Sequence, residues 1–248
     1  IVAAMPHDEM VGSVASAPPG FVNFTLSMRW LQSQVTFVRS LGEKFGSVDS
    51  GLGKRVQVEF VSVNPTGPLH VGHARGAVIG SSLANVLESA GYEVQREYYV
   101  NDAGTQMRVF YETLYSRYMQ ASGRDVPLPE PAYPGEYLSE LASDLFRDLG
   151  DGAVNKEKSD AIADIAPESL KRTIDGIRDT LERLGVVYDQ WFYESELISS
   201  GRFDQVMDFL KDSNLIVDRD GAQWFAATKF GLDEDIVVIR SGDGDPTN

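Results

Sequence analysis

The chain alternates short β-branched runs with longer stretches of helical periodicity. VQVEFVSV (56–63) is β-branched and mostly apolar, the composition of a buried strand. NPTGPL (64–69) follows as a turn, by its Asn, Gly and Pro content. Apolar residues then recur at Val71, Ala74, Val78, Leu83, Val86 and Leu87, which predicts a helix that stops at Gly91. EVQREYYV (93–100) reads as a second strand, and Asn101-Asp102 is placed to cap a helix running to about Met119. Strand, helix, strand, helix in this order predicts parallel strands joined by right-handed crossovers.

The flanking segments are less regular. GFVNFTLS (20–27) alternates like a strand, and Ser27 can cap a helix over Met28–Phe45. SVDSGLGKR (47–55) is rich in Gly and Ser and reads as a linker, which puts a domain boundary there. DVPLPEPAYPGEY (125–137) packs four prolines into a loop. Helical patterns occupy 137–149, 167–184 and 202–212, and VVYDQWFYES (186–195) reads as a strand. LIVDRDGAQWFAAT (215–228) predicts a hairpin turning at Asp220-Gly221, and DIVVIRS (235–241) a further buried strand. The first residue is Ile and the chain ends in turn-forming residues, so it is expected to be a fragment or an incomplete gene.

Composition narrows the chemistry. There is no cysteine, hence no disulfide, thiol nucleophile or thiolate metal site. No apolar run approaches membrane-spanning length and no signal peptide opens the chain, which together with the lack of cysteine fits a cytoplasmic protein without a membrane partner. The formal charge of −15 argues against a general nucleic-acid-binding surface and suits a cationic small ligand, although an acidic surface also serves solubility alone.

The chain has only three histidines, and two of them, His70 and His73, fall in NPTGPLHVGHARG (64–76), where a strand gives way to a helix. Ligands of open α/β sheets bind at such places, where free N–H groups and the helix dipole attract phosphate. Imidazoles at i and i+3 share one helix face and can donate hydrogen bonds to phosphate oxygens as charge develops. Gly72 between them leaves room for a flat base, while Pro65, Pro68 and Gly67 shape the turn. A His-x-x-His pair can also bind zinc, but no third ligand is evident, and no protein-bound metal site is expected. Two solvated histidines on a structural turn remain the plain alternative. His7 carries no motif.

VEFVSVNPTGPLHVGHARGAVIG together with LESAGYEVQREYYVNDAGTQM resembles bacterial-type arginyl-tRNA synthetases, which are class I aminoacyl-tRNA synthetases. HVGH is that family's variant of the class I histidine signature. The resemblance continues through YDQWFYESEL, DGAQWFAATKFG and VVIRS, and APPGFVNFTLS is similar to the end of the family's extra N-terminal domain. It implies an α/β fold: a Rossmann-like, parallel-sheet, nucleotide-binding catalytic domain over 51–248, incomplete, with a mixed insertion at about 120–230. Residues 1–50 would be the remnant of an N-terminal α+β, tRNA-contacting domain plus linker.

The implied activity is arginine–tRNA ligation, with L-arginine, ATP and tRNA(Arg) as substrates and partners, Mg2+ accompanying the ATP, and a monomeric full-length enzyme. His70 and His73 match the catalytic histidines and, with Gly72 and Pro68, the nucleotide site. Glu59 and Asn64 match positions that line the arginine pocket. From the residues alone, Glu59 is equally a solvent-facing strand residue and Asn64 a turn residue. Asp102 is either a helix cap or a border of the same pocket.

Parts of the family pattern are absent. The sequence has no Lys-Met-Ser-Lys-Ser-like loop and no helical anticodon-binding domain, and SGDGDPTN departs from the family's continuation. The chain is expected to carry about the first half of a catalytic site and to be inactive or weakly active alone. Two competing readings follow: a degenerate or truncated non-ligase nucleotide-binding module of the same fold, and another nucleotidyltransferase with a His-x-x-His loop.

Overall fold

The computed structural model describes residues 2–240 and 246. They fall into two compact units. The first takes in the chain up to Lys54 together with Val86–Glu93. In it β1 (Val11–Ala17) and β2 (Phe21–Leu26) form an antiparallel hairpin, with Val14 opposite Phe24 and Ala17 opposite Phe21. The alternation at 20–27 predicts β2. β1 is unmarked in the sequence because Val-Gly-Ser-Val-Ala-Ser-Ala has no regular apolar face.

Helix α1 (Met28–Leu41) starts as expected, with the Ser27 hydroxyl accepting from the Trp30 N–H at 3.2 Å. It stops at Leu41 rather than Phe45, because Gly42 turns to φ 55 and returns its N–H to the Val38 carbonyl. The Gly/Ser-rich stretch 47–55 is no free tether. Val48, Gly51 and Gly53 donate their N–H groups to the carbonyls of Ser89, Ala90 and Gly91 at 2.8, 2.7 and 2.9 Å. A Cβ on Gly51 would stand 2.6 Å from backbone atoms of Gly91 and Tyr92, so only glycine allows this approach.

The second unit holds Arg55–Asn85 and the described chain from Val94 on. Here β3 (Arg55–Glu59), α2 (Val71–Ser89) and β4 (Glu93–Val100) realise the expected strand–helix–strand order. Then come α3 (Gly104–Ala121), α4 (Glu136–Leu149) and α5 (Lys158–Arg183). The chain returns as β5 (Gln190–Tyr193), which pairs parallel with β4, Glu97 opposite Gln190 and Val100 opposite Tyr193. The sheet order is β3-β4-β5. Its carboxyl edge is formed by Glu59, Val100 and Tyr193, the last residues of these strands.

Helices α3, α4 and α5 close over a core that includes Phe110, Leu114, Tyr118, Leu138, Leu145 and Ile165, all fully buried. Helix α5 begins nine residues earlier than the expected 167, and Pro167 lies inside it. Buried Ala161, Ile165, Ser169, Ile174, Ile177 and Leu181 run on through the proline at helical spacing, and that burial outweighs the missing N–H.

After β5 come α6 (Glu194–Ser199) and α7 (Arg202–Asp212), then β6 (Ile216–Arg219), β7 (Ala222–Phe225) and β8 (Ile236–Ile239). The β6–β7 hairpin turns at Asp220 and Gly221 with φ of 55 and 75, both positive as a tight two-residue hairpin requires. β8 is not the buried strand expected. It pairs antiparallel with β7 as an edge strand, and Ile236 is 49% exposed. The divergent ending SGDGDPTN lies outside the described residues except for Pro246. No described helix is long and apolar enough to cross a membrane.

Candidate active site

The strand expected over 56–63 ends at Glu59. Val61 and Ser62 take φ of 68 and 42, a left-handed excursion that a β-branched valine adopts only when its surroundings impose it. Tyr98 of β4 does so. Its hydroxyl donates to the Val63 carbonyl at 3.2 Å and accepts from the Val63 N–H at 3.3 Å, while the Ser62 hydroxyl accepts from the Tyr99 N–H at 3.1 Å. The chain leaves the sheet here and becomes the turn that leads into α2.

At the start of α2 the two imidazoles stack, ring centroids 3.5 Å apart and 26° from parallel. Nδ1 of His70 accepts from the Gly72 N–H at 3.1 Å, and Nδ1 of His73 accepts from the His70 N–H at 3.3 Å. Both Nδ1 atoms are therefore acceptors, which places an N–H on Nε2 of each ring. Burial, and then the neighbouring His70, hold the His73 pKa below its ordinary value, so His73 is neutral at pH 7. Two Nε2–H donors thus stand at the N-terminus of a helix whose first turn has no acidic residue. Gly72 is bare for a local reason: a Cβ there would lie 2.9 Å from Cε1 of His70. Pro68 is exposed on the approach to this turn.

Carboxylates gather at the sheet's carboxyl edge. Asp102 does not cap α3; that place is Ala103, with no side-chain bond. Instead the Asp102 carboxylate accepts from the Ser195 N–H at 2.9 Å and the Ser195 hydroxyl at 2.6 Å. It caps α6, next to Glu194. Glu194 is buried, and its Oε2 has no hydrogen-bond partner. Burial raises its pKa, Asp102 raises it further, and a hydrogen bond from Tyr99 partly opposes them. Burial also pushes the Tyr99 phenol up to about 12, with Glu194, Asp102 and Glu59 adding to the shift. Tyr111 likewise goes to about 12 through burial and Asp102. Glu59 is exposed at the end of β3 and, after burial, is the cause that raises the pKa of Glu97.

The predicted residues do not line one cavity. Asn64, whose amide N–H donates to the Gln106 side-chain oxygen, faces a polar cavity of about 230 Å³ with Asn101, Gly104 and Arg240. Asp102 borders a second of about 320 Å³ with Tyr111, and His70 a third of about 310 Å³ with Thr180 and Arg183. Glu194 and Arg240 carry no sequence signal that marks them for these places. Among the described residues no three His, Asp or Glu side chains are grouped to hold a metal ion.

A class is shown before any particular member: residues 35–247 match the catalytic domain of the class I tRNA synthetases (R), and the chain belongs to that family. The relatives with curated names are arginine–tRNA ligases. That of Dehalococcoides mccartyi is 44% identical over 96% of this chain, and that of Heliobacterium modesticaldum 45% identical over 100%. The chain spans 42% and 44% of their respective lengths. A solved structure from Campylobacter jejuni, described as an arginyl-tRNA synthetase, superposes with a TM-score of 0.75 at 30% identity, covering 90% of this chain and 48% of that one. The arginyl-tRNA synthetase of Thermus thermophilus, 24% identical with a TM-score of 0.57 over 99% of this chain and 41% of that one, shares the fold.

Proposed function

We propose that the chain forms the ATP- and arginine-binding half of a cytoplasmic arginine–tRNA ligase, with its first 50 or so residues the end of a tRNA-contacting domain. In this reading an oxygen of the arginine carboxylate attacks the α-phosphorus of ATP, the bond to the β-phosphate breaks, and pyrophosphate leaves. Arginyl-adenylate then passes arginine to the terminal ribose of tRNA(Arg). The substrate carboxylate is already ionised at pH 7, so no base is needed to start. The protein's task is to position the substrates and to meet charge on the α-phosphate oxygens.

The observation that carries this reading is the stacked imidazole pair whose Nδ1 atoms both accept backbone N–H groups, which leaves the two Nε2–H groups to donate at the N-terminus of α2. Gly72 would carry the adenine, on the exposed first turn, next to Pro68. Mg2+ would arrive on the ATP phosphates. Glu194, Asp102 and Glu59 give the other end a negative field, and the unpartnered Oε2 of Glu194 matches a guanidinium N–H. Asn64 offers an amide for the polar end of the amino acid.

The test is calorimetry with ATP, L-arginine and L-citrulline, the neutral near-isostere. It is paired with arginine-dependent ATP–pyrophosphate exchange by the chain alone and by the chain joined to the remaining C-terminal portion of the Heliobacterium relative, the completed enzyme below. Arginine should bind and citrulline should not, and exchange should depend on arginine. ATP binding without any arginine dependence would favour a non-ligase nucleotide-binding module.

Glu59→Gln should raise the arginine KM by about 3- to 10-fold and leave the ATP KM unchanged, as loss of one partly solvated charge partner does. Equal changes in both constants in the exchange assay would make Glu59 structural.

A further inference from the structure

The turn that presents His70 and His73 is held mainly from outside. Between Asn64 and Leu69 its one internal backbone hydrogen bond runs from Thr66 N–H to the Asn64 carbonyl, at 2.8 Å. Tyr98 fixes the upstream end at Val63, and the Asn64 amide reaches Gln106. The middle is gripped by Tyr137, the second residue of α4. Its hydroxyl donates to the Thr66 carbonyl at 2.5 Å, across 71 positions of chain.

The ring is as closely fitted as the hydroxyl. A Cβ on Gly67 would stand 2.9 Å from Cζ of Tyr137 and 3.1 Å from its oxygen. A Cβ on Gly135 would stand 2.1 Å from its Cε1. Two glycines far apart in sequence are thus bare around one ring. The ring packs against the α3–α4–α5 core, beside fully buried Leu138. Burial, then Tyr133, raise the phenol's pKa, so the hydroxyl keeps its proton and remains a donor at neutral pH.

We propose that Tyr137 is a positioning residue: from the helical insertion it sets the height of the Thr66–Gly67 peptide, and with it the place of the two imidazoles at the mouth of α2. The contact is geometric and independent of what the site binds. Its catalytic consequence rests on the reading given under Proposed function. A turn fixed at Val63 and at the helix but free between them can tilt the first turn of α2, and small displacements at a reacting phosphate are costly.

Tyr137→Phe keeps the ring and removes the bond, and it should fold. In the completed enzyme the kcat of ATP–pyrophosphate exchange should fall about tenfold with the ATP KM within about twofold, the size of one well-made hydrogen bond expressed only in the transition state. In the 248-residue chain the three histidines make the 15N imidazole spectrum readable residue by residue. The His70 and His73 signals should move from the Nε2–H pattern toward tautomer-averaged values in the phenylalanine variant. Gly67→Ala, which pushes ring and turn apart, should move the same signals.

Tyr133→Phe is the control. Tyr133 packs on the same core, edge-on to Phe110, and lacks the turn contact. If Tyr137→Phe leaves both the imidazole signals and kcat at wild-type values, or if Tyr133→Phe reproduces its changes, the proposal is overturned. If the signals move as expected while the unmutated completed enzyme shows no arginine-dependent exchange, the positioning stands and the proposed function falls.

Discussion

Alanine at His73 should slow arginyl-adenylate formation by about 10²- to 10³-fold with little change in ATP affinity, the usual cost of one preorganised donor to a developing oxyanion. The ground-state α-phosphate carries less charge on the oxygens that face the imidazoles than the five-coordinate state does, so the loss belongs in kcat. Alanine at His73 also removes the acceptor for the His70 N–H, so the melting temperature is measured beside the rate. His70 needs a different substitution. Its Nδ1 also caps α2 through the Gly72 N–H, so alanine would remove a donor and a helix cap together. His70→Asn retains a capping side chain and loses only the Nε2–H. It should keep the melting temperature and still lose about 10²-fold in single-turnover adenylate formation. Unchanged single-turnover rates in both variants would remove the imidazoles from the chemistry.

Glu194→Gln should weaken arginine binding by about 10- to 100-fold, the range for losing the charge from a hydrogen bond to a charged partner, and leave ATP binding unchanged. The same change should not lower the melting temperature at pH 7. The Glu194 carboxyl has its pKa raised by burial and by Asp102. The folded chain therefore holds that proton more tightly than the unfolded chain does. Above the folded pKa the ionised group costs stability, and the cost disappears as pH falls below the unfolded value, about 4.3. Glutamine removes the penalty. A site that loses its ligand while the fold holds or gains stability marks a carboxylate kept for binding. A lowered melting temperature with arginine affinity intact would assign Glu194 to structure instead.

The His70–His73 half of the site is legible in the sequence because everything it needs is local. A β-branched run, a Pro/Gly turn and a helical apolar pattern place both histidines within one segment at the end of β3. The carboxylate half is not local. Glu194 reads as one of two acids in YESEL, and its burial arises only when β5 lies against β4. Asp102 has the sequence of a helix cap, but it finds in Ser195 a stronger pair of donors, an N–H and a hydroxyl on the same residue, that no local rule can offer. The same contest explains Pro167. Its propensity argues for a helix boundary, and the row of buried residues on both sides of it decides otherwise. β8 shows the converse. Ile-Val-Val-Ile has a core composition, yet its partner turned out to be a small antiparallel hairpin with one open side.

The long return from β4 to β5 also dictates an order of assembly. Ser195 meets Asp102 across 93 positions of chain, and the intervening residues include the whole of α3, α4 and α5. Closing a loop of that length as unstructured chain is entropically costly, and three docked helices shorten it to a span that β5 can bridge. The strand–turn–helix bearing the two histidines can form from its own neighbourhood. The acidic edge comes into being only after α3, α4 and α5 have condensed. A nascent or partly melted chain would therefore present the His70–His73 turn before the Asp102–Glu194 edge. The edge that joins Asp102 to Ser195 beside Glu194 is, on this view, the last part of the molecule to form on folding and the first to be lost.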